Sequence, residues 1–265
     1  MQPRRFAALC CLLALIVLGG CVGVPSGEGA PGDADDPDPE AVFEGAFVHS
    51  DDLEDVSGEM RTEVTDGDRS VVERVRMAER PYVDYRDEVL EASNPDRVGD
   101  VYVSNATTKW WYYPDAGVAQ YTEFEEPFED ASVRESRADM AAEQRELYDL
   151  EYQGTAEIAD REAHVLDVDA KDEVVTEGLS VLVGDTEYVY ALETIDPEDE
   201  LTVVEQTIWI DAEFDYPLKE KLVFEGPAGT RHVMIEKFES VTFNSGLEDD
   251  RFAFDPPENV TVEEW

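Results

Sequence analysis

The spacing of apolar residues along the chain changes near its start, from a helical period to a period of two. Over residues 39–53 the apolar positions recur at intervals of three and four, as on one face of a helix, and Pro39 suits a first helical turn. The positions of this stripe are Val42, Phe43, Ala46 and Phe47. After residue 55, apolar and polar residues alternate, which is typical of strands with one buried face.

About a dozen short runs with this alternation follow, and turn signals such as Asp66-Gly67 and Asn94-Pro95 lie between them. They cover residues 56–64, 71–79, 82–90, 101–105, 108–113, 118–124, 152–158, 163–168, 179–183, 187–193, 202–211, 218–225 and 231–243. Because the runs follow one another without helical crossovers, they favour an antiparallel meander.

One helix interrupts the strands. Ser132 and Glu135 have the spacing of a capping box, and the stripe of Val133, Met140, Ala141 and Leu147 predicts an amphipathic helix from Ser132 to about residue 150. The predicted fold class is therefore mainly β (α+β), a single curved antiparallel sheet or incomplete β-barrel of about a dozen strands, with helices covering its concave face.

Charge narrows the possible functions. The 265 residues include 65 Asp plus Glu against 20 Lys plus Arg, a formal net charge of −45, which argues against binding nucleic acid. Hydrophobic residues still make up 42% of the chain, so a packed core is expected. The acidic excess is spread along the sequence, as on a halophilic protein whose self-repulsion is screened by near-molar salt.

The N-terminus has the pattern of a lipoprotein signal peptide. Arg4 and Arg5 precede an apolar run, residues 6–18, that is too short to span a bilayer, and Leu18-Gly19-Gly20-Cys21 is similar to a lipobox. We expect cleavage after residue 20, lipidation of the Cys21 thiol and attachment to the extracytoplasmic face of the cell membrane. The paired arginines also fit the twin-arginine export route.

Three regions follow from this pattern: a signal peptide (1–20), an acidic tether rich in Pro and Gly that starts at Cys21 (21–41), and a β domain (42–265). All three cysteines, Cys10, Cys11 and Cys21, precede the domain. We therefore predict a domain without disulfides or a thiolate nucleophile.

No catalytic motif is present. His49, His164 and His232 are far apart in sequence, and neither a G-x-S-x-G nor a phosphate-binding glycine motif occurs. We predict no enzymatic activity, no cofactor and no metal site. His232 shares strand parity with Met234 and Phe238, which indicates a histidine at the edge of the core.

Aromatic residues are the most informative candidates for a binding site. Trp110-Trp111-Tyr112-Tyr113 places rings on both faces of a strand, and the sequence leaves open whether they fill the core or line a cavity. The predicted cavity residues are Met60, Val75, Met77, Tyr85, Trp110, Tyr112, Phe124, Met140 and Trp209. Asn105 and Asn259 head N-x-[ST] sequences and are candidate glycosylation sites.

Several segments together resemble the lipoprotein-carrier superfamily (LolA/LolB/RseB-like), in particular haloarchaeal lipoproteins. They are RVGDVYVSN (97–105), WWYYP (110–114), TIWID (207–211), FDYPL (214–218), VTFN (241–244) and DRFAFDPP (250–257). The resemblance implies an incomplete antiparallel barrel, closed by helices, whose apolar cavity holds acyl chains. It implies no catalytic residues.

The sequence thus leads to two functional hypotheses. The first is a membrane-tethered extracytoplasmic lipoprotein, monomeric, that binds a lipid, an acyl chain or an acylated protein in a half-barrel cavity. The alternative is an RseB-like sensor or protein-interaction module of the cell envelope that holds no stable lipid ligand.

Overall fold

The computed structural model describes residues 36–65, 69–171, 202–225 and 229–265. The signal peptide, Cys21, the tether up to residue 35 and the predicted runs 179–183 and 187–193 lie outside the described residues. Within the described ranges the helices are α1 (Pro39–Val48) and α2 (Asp130–Arg145). The strands are β1 (Val56–Thr65), β2 (Ser70–Arg80), β3 (Asp84–Ala92), β4 (Val101–Ser104), β5 (Thr108–Tyr113), β6 (Val118–Glu123), β7 (Tyr148–Ile158), β8 (Arg161–Ala170), β9 (Thr202–Asp211), β10 (Pro217–Glu225), β11 (Arg231–Phe243) and β12 (Thr261–Glu264).

These strands form one unclosed sheet in the order β12-β6-β5-β4-β3-β2-β1-β11-β10-β9-β8-β7. Strands β1 to β6 form one meander and β7 to β11 another, and the two meet where β1 pairs with β11. All described pairs are antiparallel except β12, which runs parallel to β6. The mainly β fold class is confirmed, and the short β12 is a strand that the alternation pattern did not predict.

The sheet is strongly curved. Strands β7 and β11 approach within 8 Å between Cα atoms, although three strands separate them in the sheet. Tyr216, just before β10, donates a hydrogen bond to Glu79 of β2 at 2.7 Å, across β11 and β1. Because adjacent strands lie about 4.8 Å apart, both contacts require the intervening strands to bend around a common inner face.

Helix α1 packs on one end of that inner face. Pro39 opens the helix, and the Asp38 side chain accepts a hydrogen bond from the Glu40 N–H. All four positions of the predicted stripe are buried, and they pack against side chains of β7, β8 and β9. The strand residues in this cluster are Tyr148, Leu166, Val168, Ile208 and Ile210. The predicted stripe is confirmed.

The helix ends at Val48 instead of residue 53. His49 adopts a positive φ of 52°, and the next N–H, of Ser50, donates to Phe214 O before β10. The chain therefore leaves the helical path to hydrogen-bond the β9–β10 connection, a tertiary contact that local spacing did not reveal.

Helix α2 differs more from its prediction. It begins at Asp130 after Glu129, has no side-chain cap and ends at Arg145, so the predicted Ser132 cap and the end near residue 150 were wrong. Residues 148–150 belong to β7, where Tyr148 packs against α1. The apolar stripe is mostly exposed, because Ala141 is buried while Met140 and Leu147 are each 41% exposed. Among the described helices, none is both long and apolar enough to cross a membrane.

His49 joins four parts of the structure. Its ring stacks on Tyr82 and lies 4.9 Å from the Tyr216 ring, between centroids. Burial, together with Arg137 and Arg134, lowers the pKa of His49 to about 3, so the ring is neutral. A neutral ring can donate from Nδ1 to Asp215 O and accept from Arg137 at Nε2, the two contacts observed at 3.4 Å. The residue thereby links α1, α2, the β2–β3 connection and the β9–β10 connection.

Gly58 permits a close approach between β1 and β11. The register shifts there, because Glu59 pairs with Ser240 whereas Met60 pairs with Phe238. A Cβ atom at position 58 would lie 2.1 Å from the backbone oxygen of Ser240. No side chain fits at that distance unless the two strands separate.

We expect Gly58→Ala to lower the free energy of unfolding by about 1–3 kcal/mol, because the strands that join the two meanders would have to shift. The measurement is thermal or denaturant unfolding followed by circular dichroism. The neighbouring Ser57→Ala is the matched control and should stay within about 0.5 kcal/mol of the wild type. Equal stability of both variants would contradict the close approach.

Candidate functional site

The inner face can be traced by register from the residues under α1. Ile208 pairs with Glu220, Glu220 with Glu236, Glu236 with Thr62, and Thr62 with Glu73. Because residues paired across neighbouring strands share a face, this row runs across the inner face from β9 to β2. Met77 lies on the same side of β2 as Glu73, and its register leads through Asp87 and Tyr102 to Trp111.

A continuous row of rings occupies the part of the inner face away from α1. Centroid distances are 5.6 Å from Tyr85 to Tyr102, 5.7 Å from Tyr102 to Trp111 and 5.4 Å from Trp111 to Trp265. We call these four residues the aromatic row. The first three are partly exposed and Trp265 is 79% exposed, so the row presents apolar surface that the described chain leaves open.

The predicted cavity residues fall into two groups by their location in the structure. Met60, Val75, Met77 and Tyr85 lie together on the inner face, next to the aromatic row. Five candidates lie elsewhere: Trp110, Tyr112, Phe124, Met140 and Trp209, of which Trp209 also packs against the cluster that contains Met77. Whether any of the nine lines a ligand cavity stays a prediction.

The three strand residues of the second group face away from α1. Trp209 lies between Ile208 and Ile210 of the α1 cluster, so it points to the opposite face, where the Lys219 ammonium lies 3.8 Å from its ring centroid. Trp110 and Tyr112 alternate with Trp111 and each lies 5.5 Å from the Phe254 ring, between centroids. Their rings hold the C-terminal segment against the sheet.

The other two candidates lie off the sheet faces. Phe124 follows β6 and packs edge-on against Phe128, with 4.7 Å between centroids. Met140 is on α2 and 41% exposed.

Three members of the aromatic row were not among the predicted cavity residues: Tyr102, Trp111 and Trp265. Trp110 and Trp111 are equivalent by composition, and only the pairing of β5 with β4 decides which faces inward. No sequence signal indicated Trp265, because β12 was not predicted.

The two glycosylation candidates differ in their surroundings. The Asn105 amide donates to Phe252 O at 3.1 Å, and its oxygen accepts from the backbone N–H groups of Thr107 and Thr108. Asn259 is exposed in the turn before β12. Glycosylation at Asn105 would have to break its bond to the C-terminal segment, whereas Asn259 is accessible; modification at both stays a prediction.

Carboxylates lie on the inner face beside the apolar residues. Glu220 is fully buried and accepts a hydrogen bond from Gln206 at 2.6 Å, and Glu236 is 6% exposed and accepts one from Thr62 at 2.9 Å. Burial raises the pKa of Glu236 to about 7, although the Thr62 hydrogen bond opposes the shift. Glu73 at the end of this row is paired with Arg97 at 2.6 Å.

Asp87 is a carboxylate in direct contact with the aromatic row. Tyr85 donates a hydrogen bond to it at 3.2 Å, and Tyr102 is its cross-strand partner. The side chain is partly exposed, yet loss of solvent raises its pKa to about 7. Its position on the inner face of the curved sheet places this carboxylate beside the rings of the row.

The histidines are separate from one another. His164 contacts Tyr152 at 3.2 Å, and His232 is buried on the same strand face as Met234, as its parity predicted. Across the described parts of the chain, no group of three or more His, Cys, Asp or Glu side chains is placed to hold a metal ion.

Comparison with known proteins gives structural similarity alone. No family model matches the chain, and no curated protein matches it. The chain is similar to an uncharacterized conserved protein from Thermus thermophilus, with 12% identity, a TM-score of 0.46, and coverage of 85% of this chain and 97% of the other.

Two further solved structures are similar to this chain. In the MucA/MucB complex from Pseudomonas aeruginosa the identity is 14%, the TM-score 0.43, and the coverage 81% of this chain and 59% of the other. For a LolA superfamily protein from Nitrosomonas europaea the identity is 11%, the TM-score 0.34, and the coverage 82% of this chain and 98% of the other. We therefore derive the function from the geometry of the inner face.

The raised pKa of Glu236 predicts how stability depends on pH. The native state holds this proton more tightly than the unfolded chain, so the contribution of Glu236 to stability falls as pH rises from about 4.5 to about 7. Glu236→Gln removes the dependence. We expect the variant to match the wild type near pH 4.5 and to be more stable by up to about 3 kcal/mol near pH 8.

The measurement is denaturant unfolding of both proteins at several pH values and constant salt. Glu239→Gln, an exposed position on the same strand, is the control and should show no such trend. A constant difference between Glu236→Gln and the wild type would contradict the raised pKa.

Proposed function

We propose that the chain is a lipid-anchored extracytoplasmic protein whose inner face binds an apolar ligand such as a lipid, an acyl chain or an acylated protein. The observation that carries this proposal is the aromatic row. Four rings in continuous contact, adjoining Met60 and Met77, remain partly open on the concave side of a curved sheet. Covering them with a ligand would contribute roughly 25 cal/mol per Å² of buried apolar surface.

The arrangement of helices supports the same proposal. Helix α1 fills the inner face over β7–β9, and α2 packs on α1 and β7. The aromatic row lies on strands β3 to β5 and on Trp265, away from that cluster. Among the described residues, α1 therefore fills one part of the inner face, and the part that carries the aromatic row is left open.

A probe experiment tests the proposal. The full-length chain should enhance the emission of the neutral apolar dye Nile red, and Trp111→Ala should weaken dye binding about three- to tenfold because it removes the central ring of the row. Trp110→Ala is the matched control, since that ring lies on the opposite face beside Phe254. Equal effects of the two substitutions, at equal thermal stability, would contradict an inner-face site.

Native mass spectrometry of the full chain from its own host provides an independent readout. A stoichiometric lipid mass would support the proposal and identify the ligand class. A clean apo mass without dye uptake would overturn it.

An apo result would favour the alternative, a sensor or interaction module that docks another envelope protein. One observation supports this alternative: the edge strand β12 is short, exposed along its length and paired parallel to β6. Edge strands are sites where a further strand can add.

The membrane anchor is the second part of the proposal. It rests on the lipobox at Leu18-Gly19-Gly20-Cys21, which lies outside the described residues. We expect Cys21→Ser to move the protein from the membrane fraction to the soluble or secreted fraction, because a serine cannot form the thioether to the lipid. Fractionation with immunoblotting measures the change; Cys11→Ser, within the apolar run, is the control. Unchanged membrane association of Cys21→Ser would overturn the anchor.

A further inference from the structure

The aromatic row contains a carboxylate at its centre. Asp87 lies two residues after Tyr85 on β3 and opposite Tyr102 on β4, and Tyr85 donates a hydrogen bond to it at 3.2 Å. Tyr102 in turn lies opposite Trp111 on β5. A ligand resting on these rings would meet the Asp87 carboxylate.

On the inner face, acidic side chains outnumber basic ones. Register places these carboxylates on it: Glu73, Glu79, Asp87, Glu220, Glu236 and Glu263. The lysine on this face of the described strands is Lys109, whose ammonium lies 5.9 Å from the Phe124 ring centroid. Arg97 is shared between Glu73 at 2.6 Å and Asp100 at 3.5 Å, and its charge also favours the ionised form of Asp87.

This charge pattern differs from that of the opposite face. There, Arg74 and Arg76 both lie within 4.0 Å of Glu59, and Arg76 also pairs with Glu88 at 3.8 Å. Carboxylates that only maintain solubility would be expected among such solvated, paired groups. Asp87 instead lies among aromatic rings, accepts a hydrogen bond from Tyr85, and shares the charge of Arg97 with Glu73 and Asp100, an arrangement that favours a positive ligand over an anionic one.

We propose that the aromatic row binds the ammonium headgroup of a cationic amphiphile, with Asp87 as the counter-charge and the rings of Tyr102 and Trp111 as its aromatic neighbours. Aromatic rings attract ammonium groups through their quadrupole, most strongly when water is excluded. The alkyl part of the ligand lies along the adjoining apolar residues, including Met60 and Met77. This inference rests on the proposed function and specifies the class of its ligand.

Three probes with the same octyl chain and different headgroups test it: octyltrimethylammonium, octyl sulfate and octyl glucoside. Binding to the full-length chain is measured by calorimetry near pH 8, where the carboxylates are ionised, at one fixed salt concentration. We expect the ammonium probe to bind roughly tenfold more tightly than either of the others.

Asp87→Asn keeps the shape of the side chain and removes its charge. It should abolish most of the preference for ammonium while changing the binding of octyl glucoside by less than about twofold. Glu88→Gln is the matched control, because this neighbour lies on the opposite face with Arg76, and it should retain the preference. If Asp87→Asn does not fold, the order of the three headgroups on the wild type decides the question.

The outcomes separate this inference from the proposed function. Equal or tighter binding of octyl sulfate, or a preference for ammonium that persists in folded Asp87→Asn, would overturn the cationic ligand and leave an apolar site in place. Failure of all three probes to bind would overturn the proposed function itself.

Discussion

The structure depends on the docking of α1 into one end of a curved, unclosed sheet. A sheet of this length has two long faces, and an apolar face left in water is unfavourable. Phe43 and Ala46 of α1 are almost completely buried against Leu166 and Ile208, so the helix replaces the closure that a full barrel would provide. The junction at His49 fixes the end of α1 against both the β2–β3 and β9–β10 connections. The position of one short helix thus decides which part of the inner face is filled and which part the described residues leave open.

The local sequence pattern predicted most strands, because in a meander each run of alternating apolar and polar residues is bounded by turn residues. β5, β9 and β11 have the predicted bounds, and α1 has the predicted buried stripe. The errors occur where tertiary contacts override local preference: residues 148–150 continue a helical stripe in sequence, but pairing with β8 places them in β7. β12 has four exposed residues and depends on the β6 edge, so it carries no alternation of its own to recognise.

The sequence predicted the type of side chain in the candidate site, but not which residues form it. Composition indicated aromatic residues around position 110, and three of the predicted cavity residues, Met60, Met77 and Tyr85, lie on one face, while their role in a cavity stays a prediction. Which of Trp110 and Trp111 faces inward depends on a register of single-residue precision, and a shift of one residue exchanges them. The acidic residues of the inner face could not be predicted either. In a chain with 65 carboxylates, their sequence neighbourhoods do not differ from those of the acidic residues on the surface.

Burial separates the carboxylates into two groups with different physical consequences. Those on the outer face lie beside arginines and water, where their charge favours solubility at little cost to the fold. Glu236 and Asp87 have lost solvent, and their raised pKa values mean that ionising them opposes folding at neutral pH. At the buried position of Glu236 a methionine or leucine would stabilise the core better. Retaining an acid beside open aromatic rings is therefore unfavourable for stability, and a ligand that brings a further positive charge would offset that cost on binding.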